Sequence, residues 1–220
     1  MLSLFLFSKI YFGDGMKFIK PKIKYVEEIK LKSQIHENFT NALVVEKDGN
    51  VVLEKLNIDT VEFSKLSLLD TEFISTNFMD VVFSSCDISN KKFESMNFTR
   101  VEFNSCKLLG CSFNLSVLQD VKFENCIVRY ANLSELNAKR VVFKNCDLSE
   151  VTLINTEFNN VEFINCKFND SVISSSSLNE IDLSSCDLDG VMVDTYSIKG
   201  SIINENQAVQ LVGLLGVKVK

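Results

Sequence analysis

Four stretches of this chain read almost alike: Val81-Val82-Phe83-Ser84-Ser85-Cys86, Val101-Glu102-Phe103-Asn104-Ser105-Cys106, Val121-Lys122-Phe123-Glu124-Asn125-Cys126 and Val141-Val142-Phe143-Lys144-Asn145-Cys146. They begin twenty residues apart, and the columns they form continue through Val161, Phe163 and Cys166 to Ile181, Leu183 and Cys186. Inside the period of twenty lies one of five. From Leu53 to Ile203 in steps of five, all thirty-one positions are apolar, and after Phe39 every Phe falls on this series. The residue two before each such centre is mostly small (Val61, Thr71, Ser116, Ala131), and all seven cysteines stand there. A helix would repeat its apolar face every 3.6 residues and a flat strand every second residue, so neither explains the pattern.

A chain that turns a corner every five residues does explain it. Each side of such a coil sends two side chains inward, a large one at its centre and a small one near the corner, and four sides make one turn of twenty residues. Residues 51–203 then give about seven and a half coils, a rod about 36 Å long at a spacing of about 4.8 Å per coil. The motif small-x-[Leu/Phe]-x-x, seen in Val61-Glu62-Phe63-Ser64-Lys65 and Cys146-Asp147-Leu148-Ser149-Glu150, resembles the pentapeptide-repeat proteins. That resemblance implies an all-β fold, a right-handed quadrilateral parallel β-helix. Lys91 and Tyr196 in small-residue slots, and Ala138 in a central one, mark expected local distortions.

Composition agrees with a folded chain and narrows the function. The 220 residues are 46% hydrophobic with a single Pro, which excludes disorder, and no apolar run approaches the roughly 18 residues of a membrane span. A net charge of −6 and a pI near 5.0 leave no basic face for nucleic acid. His36 is the sole histidine, so His-dependent triads and zinc hydrolases lack their material; we expect no enzyme and no cofactor. His36 lies outside the coils and reads as an ordinary surface residue. The cysteines read as core filler, because thiols strung along a line cannot converge tetrahedrally on a metal. Asp80, Arg100, Asp120 and Arg140 read as an exposed column of alternating charge, and Asn125, Asn145 and Asn165 as a stacked amide column.

Charge is unevenly spread. Residues 53–203 carry 22 acidic and 13 basic side chains, whereas residues 1–52 carry six and eight. No basic residue occurs between Lys167 and Lys199, yet Asp170, Glu180, Asp182, Asp187, Asp189 and Asp194 do, all in outward slots. These six are the candidate partner-binding residues.

Both ends of a solenoid expose strand edges and need caps. Residues 1–15 read as a leader outside the fold, with translation starting at Met1 or Met16, and with no Lys or Arg before the apolar run and no signal-peptide cleavage site after it. Residues 16–50 form an N-terminal cap, a short basic segment followed by a helical turn or an irregular stretch. In residues 204–220, Asn204 and Gln207 resemble a capped helix start and Gly216 a stop, with Ala208, Leu211, Val212 and Leu215 on one face. That face either covers the last coil or joins a second copy. The resemblance extends to the Qnr-type fluoroquinolone-resistance members in length, coil count and C-terminal helix. It implies a cytoplasmic homodimer that mimics DNA, binds DNA gyrase and protects it from fluoroquinolones. A structural or adaptor scaffold for another protein partner is the alternative.

Overall fold

The computed structural model describes residues 11–12, 16–24, 27–32, 34–35, 38 and 40–218. Of the leader expected at residues 1–15, only Tyr11 and Phe12 are among them, paired antiparallel with Lys17 and Met16; His36 lies outside them. The chain is an all-β parallel solenoid of about eight turns, closed at its C-terminal end by short helices. Eight strands form the main sheet: β1 (Glu27–Leu31), β2 (Thr40–Lys47), β3 (Asn57–Ser64), β4 (Asn77–Ser84), β5 (Asn97–Asn104), β6 (Val117–Glu124), β7 (Asn137–Lys144) and β8 (Glu157–Ile164). From β3 to β8 paired residues of neighbouring strands stand twenty positions apart, Val61 with Val81 and Phe63 with Phe83. The register read from the sequence is the register of the fold.

We number the four faces of the coil by their central residues. The first carries Phe78 and Phe98, the second Phe83 and Phe103, the third Ile88 and Leu108, and the fourth Phe93 and Phe113. Strands β3 to β8 run continuously over the first and second faces and bend at the corner between them. The third and fourth faces are joined mostly by single bridges and three-stranded patches. Their corners close with tight turns, such as Cys111 N–H to Leu108 O and Ala131 N–H to Val128 O.

Corner residues occupy the left-handed region at almost every fifth position, for example Lys65 (φ 56°), Asn125 (φ 56°) and Asn165 (φ 51°). Asn, Asp, Ser and Gly tolerate this conformation, which accounts for their frequency there. Leu115 (φ 60°) and Tyr130 (φ 61°) are bulky residues held in the same strained geometry.

The tube is dry and aromatic. Phe63, Phe83, Phe103, Phe123 and Phe143 stack in one column, with successive centroids 4.8, 4.9, 4.8 and 4.6 Å apart. The small inward residues have a second task. Cys86 Sγ donates to Phe63 O at 3.3 Å, Cys106 to Phe83 O at 3.2 Å and Thr76 Oγ1 to Leu53 O at 2.8 Å. Each bond reaches 23 residues back, to the coil below. Cys, Ser and Thr suit this slot because they are small and each brings one donor. Thr71 lacks such a bond. Its counterpart would be Asp48, which lies where the chain bends through Gly49 and Asn50 rather than in a regular coil.

Parallel pairing begins earlier than the expected boundary at Val51. β1 pairs with β2 and β2 with β3, with a register shift between Ile29 and Lys30. The segment expected to be a helical turn or irregular is thus largely solenoid strand. Its off-period sequence conceals it, because the register there has not yet settled into steps of twenty.

The noted departures distort the coil locally. Lys91 cannot enter its small slot, so its ammonium turns out to Leu69 O at 2.6 Å. It borders a groove of about 670 Å³ lined also by Val52, Leu69, Asp70 and Ile74. Tyr196 is expelled and exposed, and Ser197 fills the slot instead. The chain achieves this through a one-turn helix, α1 (Thr195–Ile198).

Candidate functional site

The acidic residues after Lys167 form a girdle, not a stripe. Asp187 and Asp189 stand on the third face, with Asp170 at its corner with the fourth. Asp182 is on the second face, Glu180 at the first–second corner and Asp194 on the fourth. All but Asp194 are exposed. Two of the exposed carboxylates are held by local donors. Asp187 accepts from Asp189 N–H at 3.1 Å and Asn169 Nδ2 at 3.0 Å, and Asp182 accepts from Ser184 N–H at 2.8 Å.

Asp194 has a different task. It is the N-cap of α1, accepting from Ser197 N–H at 2.7 Å and from Ser175 N–H at 2.8 Å. These backbone donors, Ser197 first, hold its carboxyl down at about 2. Asp194 therefore belongs to the cap, and the outward slot alone could not reveal this.

Ion pairing divides the rod. Among the described residues every ion pair lies at or before Glu150, the last being Arg129–Glu150 at 2.7 Å. Asp170, Glu180, Asp182, Asp187 and Asp189 take part in none. The alternating column is real but is not the exposed feature expected. Arg100 grips Asp80 through two bonds of 2.6 Å, and Arg140 grips Asp120 at 2.6 and 2.5 Å. The two carboxylates are only 5% and 1% exposed, because each lies under the arginine of the next coil. Lys22 N–H of the N-terminal segment also donates to Asp80, at 2.9 Å. The amide column holds, with Asn145 Nδ2 bonded to Asn125 at 3.1 Å and Asn165 to Asn145 at 3.3 Å. A second column, Asn57–Asn77–Asn97, was missed, though its spacing of twenty was equally readable.

All seven cysteines are buried and free, and burial pushes the Cys111 thiol up to about 12. Among the described residues no cluster of His, Cys, Asp or Glu could hold a metal ion, and no helix is long and apolar enough to cross a membrane.

At the C-terminus, α2 (Glu205–Leu211) starts with the capping box read from the sequence: Asn204 accepts from Gln207 N–H, and Gln207 Oε1 accepts from Asn204 N–H. Gly216 ends the following 3₁₀ turn in the left-handed conformation. The Gln207 side chain then plugs the tube, donating to Leu183 O at 2.8 Å and Cys186 O at 2.6 Å. Leu211 packs on the same core, Val212 is half-buried, Ala208 is exposed and the Leu215 side chain lies outside the described residues. The exposed apolar surface of this end is instead Met192, Tyr196, Ile202, Val209, Leu214 and Val217. A helical face read from spacing alone merged the residues that cover the tube with those that face outward.

A family model described as "Pentapeptide repeat region" matches residues 76–153, 116–193 and 136–211, together more than half of the chain. No curated protein matches the sequence significantly. Among solved structures, full-length QnrB1, a plasmid-mediated fluoroquinolone resistance protein, is similar at 19% identity over 86% of this chain and 100% of that one, with a TM-score of 0.47. HetL, a pentapeptide repeat protein involved in heterocyst differentiation regulation from the cyanobacterium Nostoc sp. strain PCC 7120, is similar at 14% identity over 84% and 93%, with a TM-score of 0.41.

Proposed function

We propose, from the premise that this chain belongs to the pentapeptide-repeat family, that it is a non-enzymatic, protein-binding rod whose C-terminal coils stand in for duplex DNA on a type II topoisomerase such as DNA gyrase. The observation that carries this reading is the run of carboxylates beyond Glu150 that enter no ion pair. Residues 157–205 hold nine acidic against two basic side chains. Spread over about 2.4 coils of about 4.8 Å, this is one net charge per roughly 1.6 Å of rod, beside about 1.7 Å for duplex DNA. The paired coils before them carry a far lower net charge per unit length.

A basic saddle shaped for DNA would meet such a girdle without chemistry, through complementary fields that speed encounter and weaken steeply with salt. Two rods meeting through the exposed apolar surface at the C-terminal end would bring two girdles together at the centre of a homodimer. Gyrase as partner would place the protein in the cytoplasm, and protection from fluoroquinolones would follow from occupancy of the DNA site.

Supercoiling by purified gyrase, with and without ciprofloxacin, tests the reading. The wild type should inhibit or protect at low salt, and reversal of Asp182, Asp187 and Asp189 to Lys should abolish the effect while leaving the circular dichroism spectrum unchanged. Unchanged inhibition by that variant moves the site elsewhere. No effect of the wild type favours the second reading, an adaptor for another protein. That reading is supported by the exposed Met192, Tyr196 and Ile202 beside the girdle.

A further inference from the structure

The main sheet ends at β8, although the solenoid does not. In the coils before it, central and corner N–H groups on the first two faces donate to the next coil throughout, and those on the other two do so outside the groove beside Lys91, where 70–75 make no backbone bond to 89–94; thus Phe93 donates to Ser112 O at 2.7 Å and Ser95 to Asn114 O at 3.0 Å. By that rule Phe158, Asn160 and Phe163 should donate to residues 177–184, and Ser177 and Asp182 should donate back. Among the described residues no backbone hydrogen bond joins 157–164 to 177–184. The third and fourth faces of the same coils stay closed: Phe168 N–H reaches Asp187 O at 2.7 Å, Asp170 N–H reaches Asp189 O at 3.0 Å, and Val172 and Ile173 pair with Met192 and Val193.

Two independent features agree with a slit on the first two faces. Val61, Val81, Val101, Val121 and Val141 are 0% exposed in their shared column, but Val161 and Ile181, its next members, are each 7% exposed. Phe158 is only half-buried in a column otherwise sealed from Ile58 to Ala138. The cause is a mismatch of corners. Coils up to β8 cross the first–second corner as one bent strand, whereas the next coil closes it with a tight turn, Ile181 N–H to Leu178 O at 3.0 Å, and the following corner with Cys186 N–H to Leu183 O at 2.8 Å. That coil spends its remaining ladder bonds on the cap, with Leu178 N–H on Ser197 O and Glu180 N–H on Gly200 O.

We propose that this level is a hinge: the third and fourth faces act as its leaf, the first and second as its mouth, and the acidic end tilts on it relative to the ion-paired shaft. The inference does not depend on which partner the acidic end meets. A wedge opening of this kind breaks no backbone ladder bonds across the mouth and strains only the side-chain links at its edges, Thr156 N–H to Ser176 Oγ at 2.9 Å, Asn165 N–H to Ser185 Oγ at 3.1 Å and Cys186 Sγ to Phe163 O at 3.5 Å, and it lets one rod fit surfaces of different curvature.

Amide hydrogen exchange on the full-length protein, read by mass spectrometry at peptide resolution, tests the hinge. Amides of Phe158, Asn160 and Phe163 should exchange at least about tenfold faster than those of Ala138, Arg140 and Phe143 one coil below, while Phe168 and Asp170 on the leaf stay protected. Equal protection of β7 and β8 would overturn the hinge. So would exchange that rises evenly on all four faces from residue 157 onward, because that describes a fraying end.

Discussion

Truncation of Phe123 should cost far more than truncation of Phe158, although both occupy central slots of the same repeat. Phe123 is fully buried and sandwiched between Phe103 at 4.8 Å and Phe143 at 4.6 Å, with interplanar angles of 4° and 2°. Removal of a buried Phe side chain costs about 3–5 kcal/mol, and each lost stacked pair adds to burial alone, which places Phe123→Ala near about 5 kcal/mol. Phe158 is half-buried at the hinge mouth and makes one edge contact, with Phe163 at 5.9 Å and 88°. Its replacement by Ala should cost about 2 kcal/mol. With a urea slope of about 2 kcal/mol per molar, the unfolding midpoint should fall by roughly 2.5 M for Phe123→Ala and about 1 M for Phe158→Ala. Equilibrium unfolding followed by circular dichroism measures both. Equal shifts would refute the claim that the stack, rather than the repeat position alone, sets the stability of a coil.

Asp120→Asn should lower stability by about 2–4 kcal/mol, since it leaves Arg140 without its charge over a nearly sealed site, whereas Glu150→Gln at the exposed Arg129 pair should leave the midpoint of the same titration nearly unchanged. The Asp194 carboxyl is held below its unfolded value, so its share of stability is complete above about pH 4 and is lost as pH falls through about 2. Thermal melts across that window should show a fall in the wild type that Asp194→Asn makes smaller, the remainder coming from groups such as Glu124, whose carboxyl, against the upward pull of burial, Lys122 and Lys144 also hold down. Leu211→Asp should open the tube end and lower the melting temperature, while Val209→Asp, on an outward side chain, should leave stability unchanged and abolish any dimer seen by light scattering.

The fold was legible because its core is one-dimensional. A five-residue coil side has one way to bury Phe83 and Cys86, so period, register and the column of Asn145 over Asn125 follow directly from spacing. Legibility fails where a residue's task depends on what the next coil does. Spacing puts Arg140 twenty residues beyond Asp120 and no arginine beyond Asp182, yet it cannot show that the arginine seals the Asp120 carboxylate to 1% exposure. Asp194 looks like a surface charge until Tyr196 is refused by its slot and the chain makes a helix that needs a cap. Leu211 and Val209 are both apolar in a short helix, and only the position of Gln207 in the tube mouth tells which one faces the core. The hinge hides most completely, since Leu178 and Leu183 keep the period while the corner between them changes type.

The arginine-clamped carboxylates imply that the rod can change length only in certain steps. Packing repeats every coil, so an excision of residues 101–120 would set Val121 on Val81 and Phe123 on Phe83 with the core undisturbed. It would also stack Arg140 directly on Arg100, two guanidinium groups left to share the carboxylate of Asp80. An excision of residues 81–120 removes Arg100 and Asp120, one partner from each clamp, and hands Asp80 to Arg140. A chain that grows by duplicating its own coils is thus free to add them singly by the rule of its interior, and in pairs by the rule of this corner.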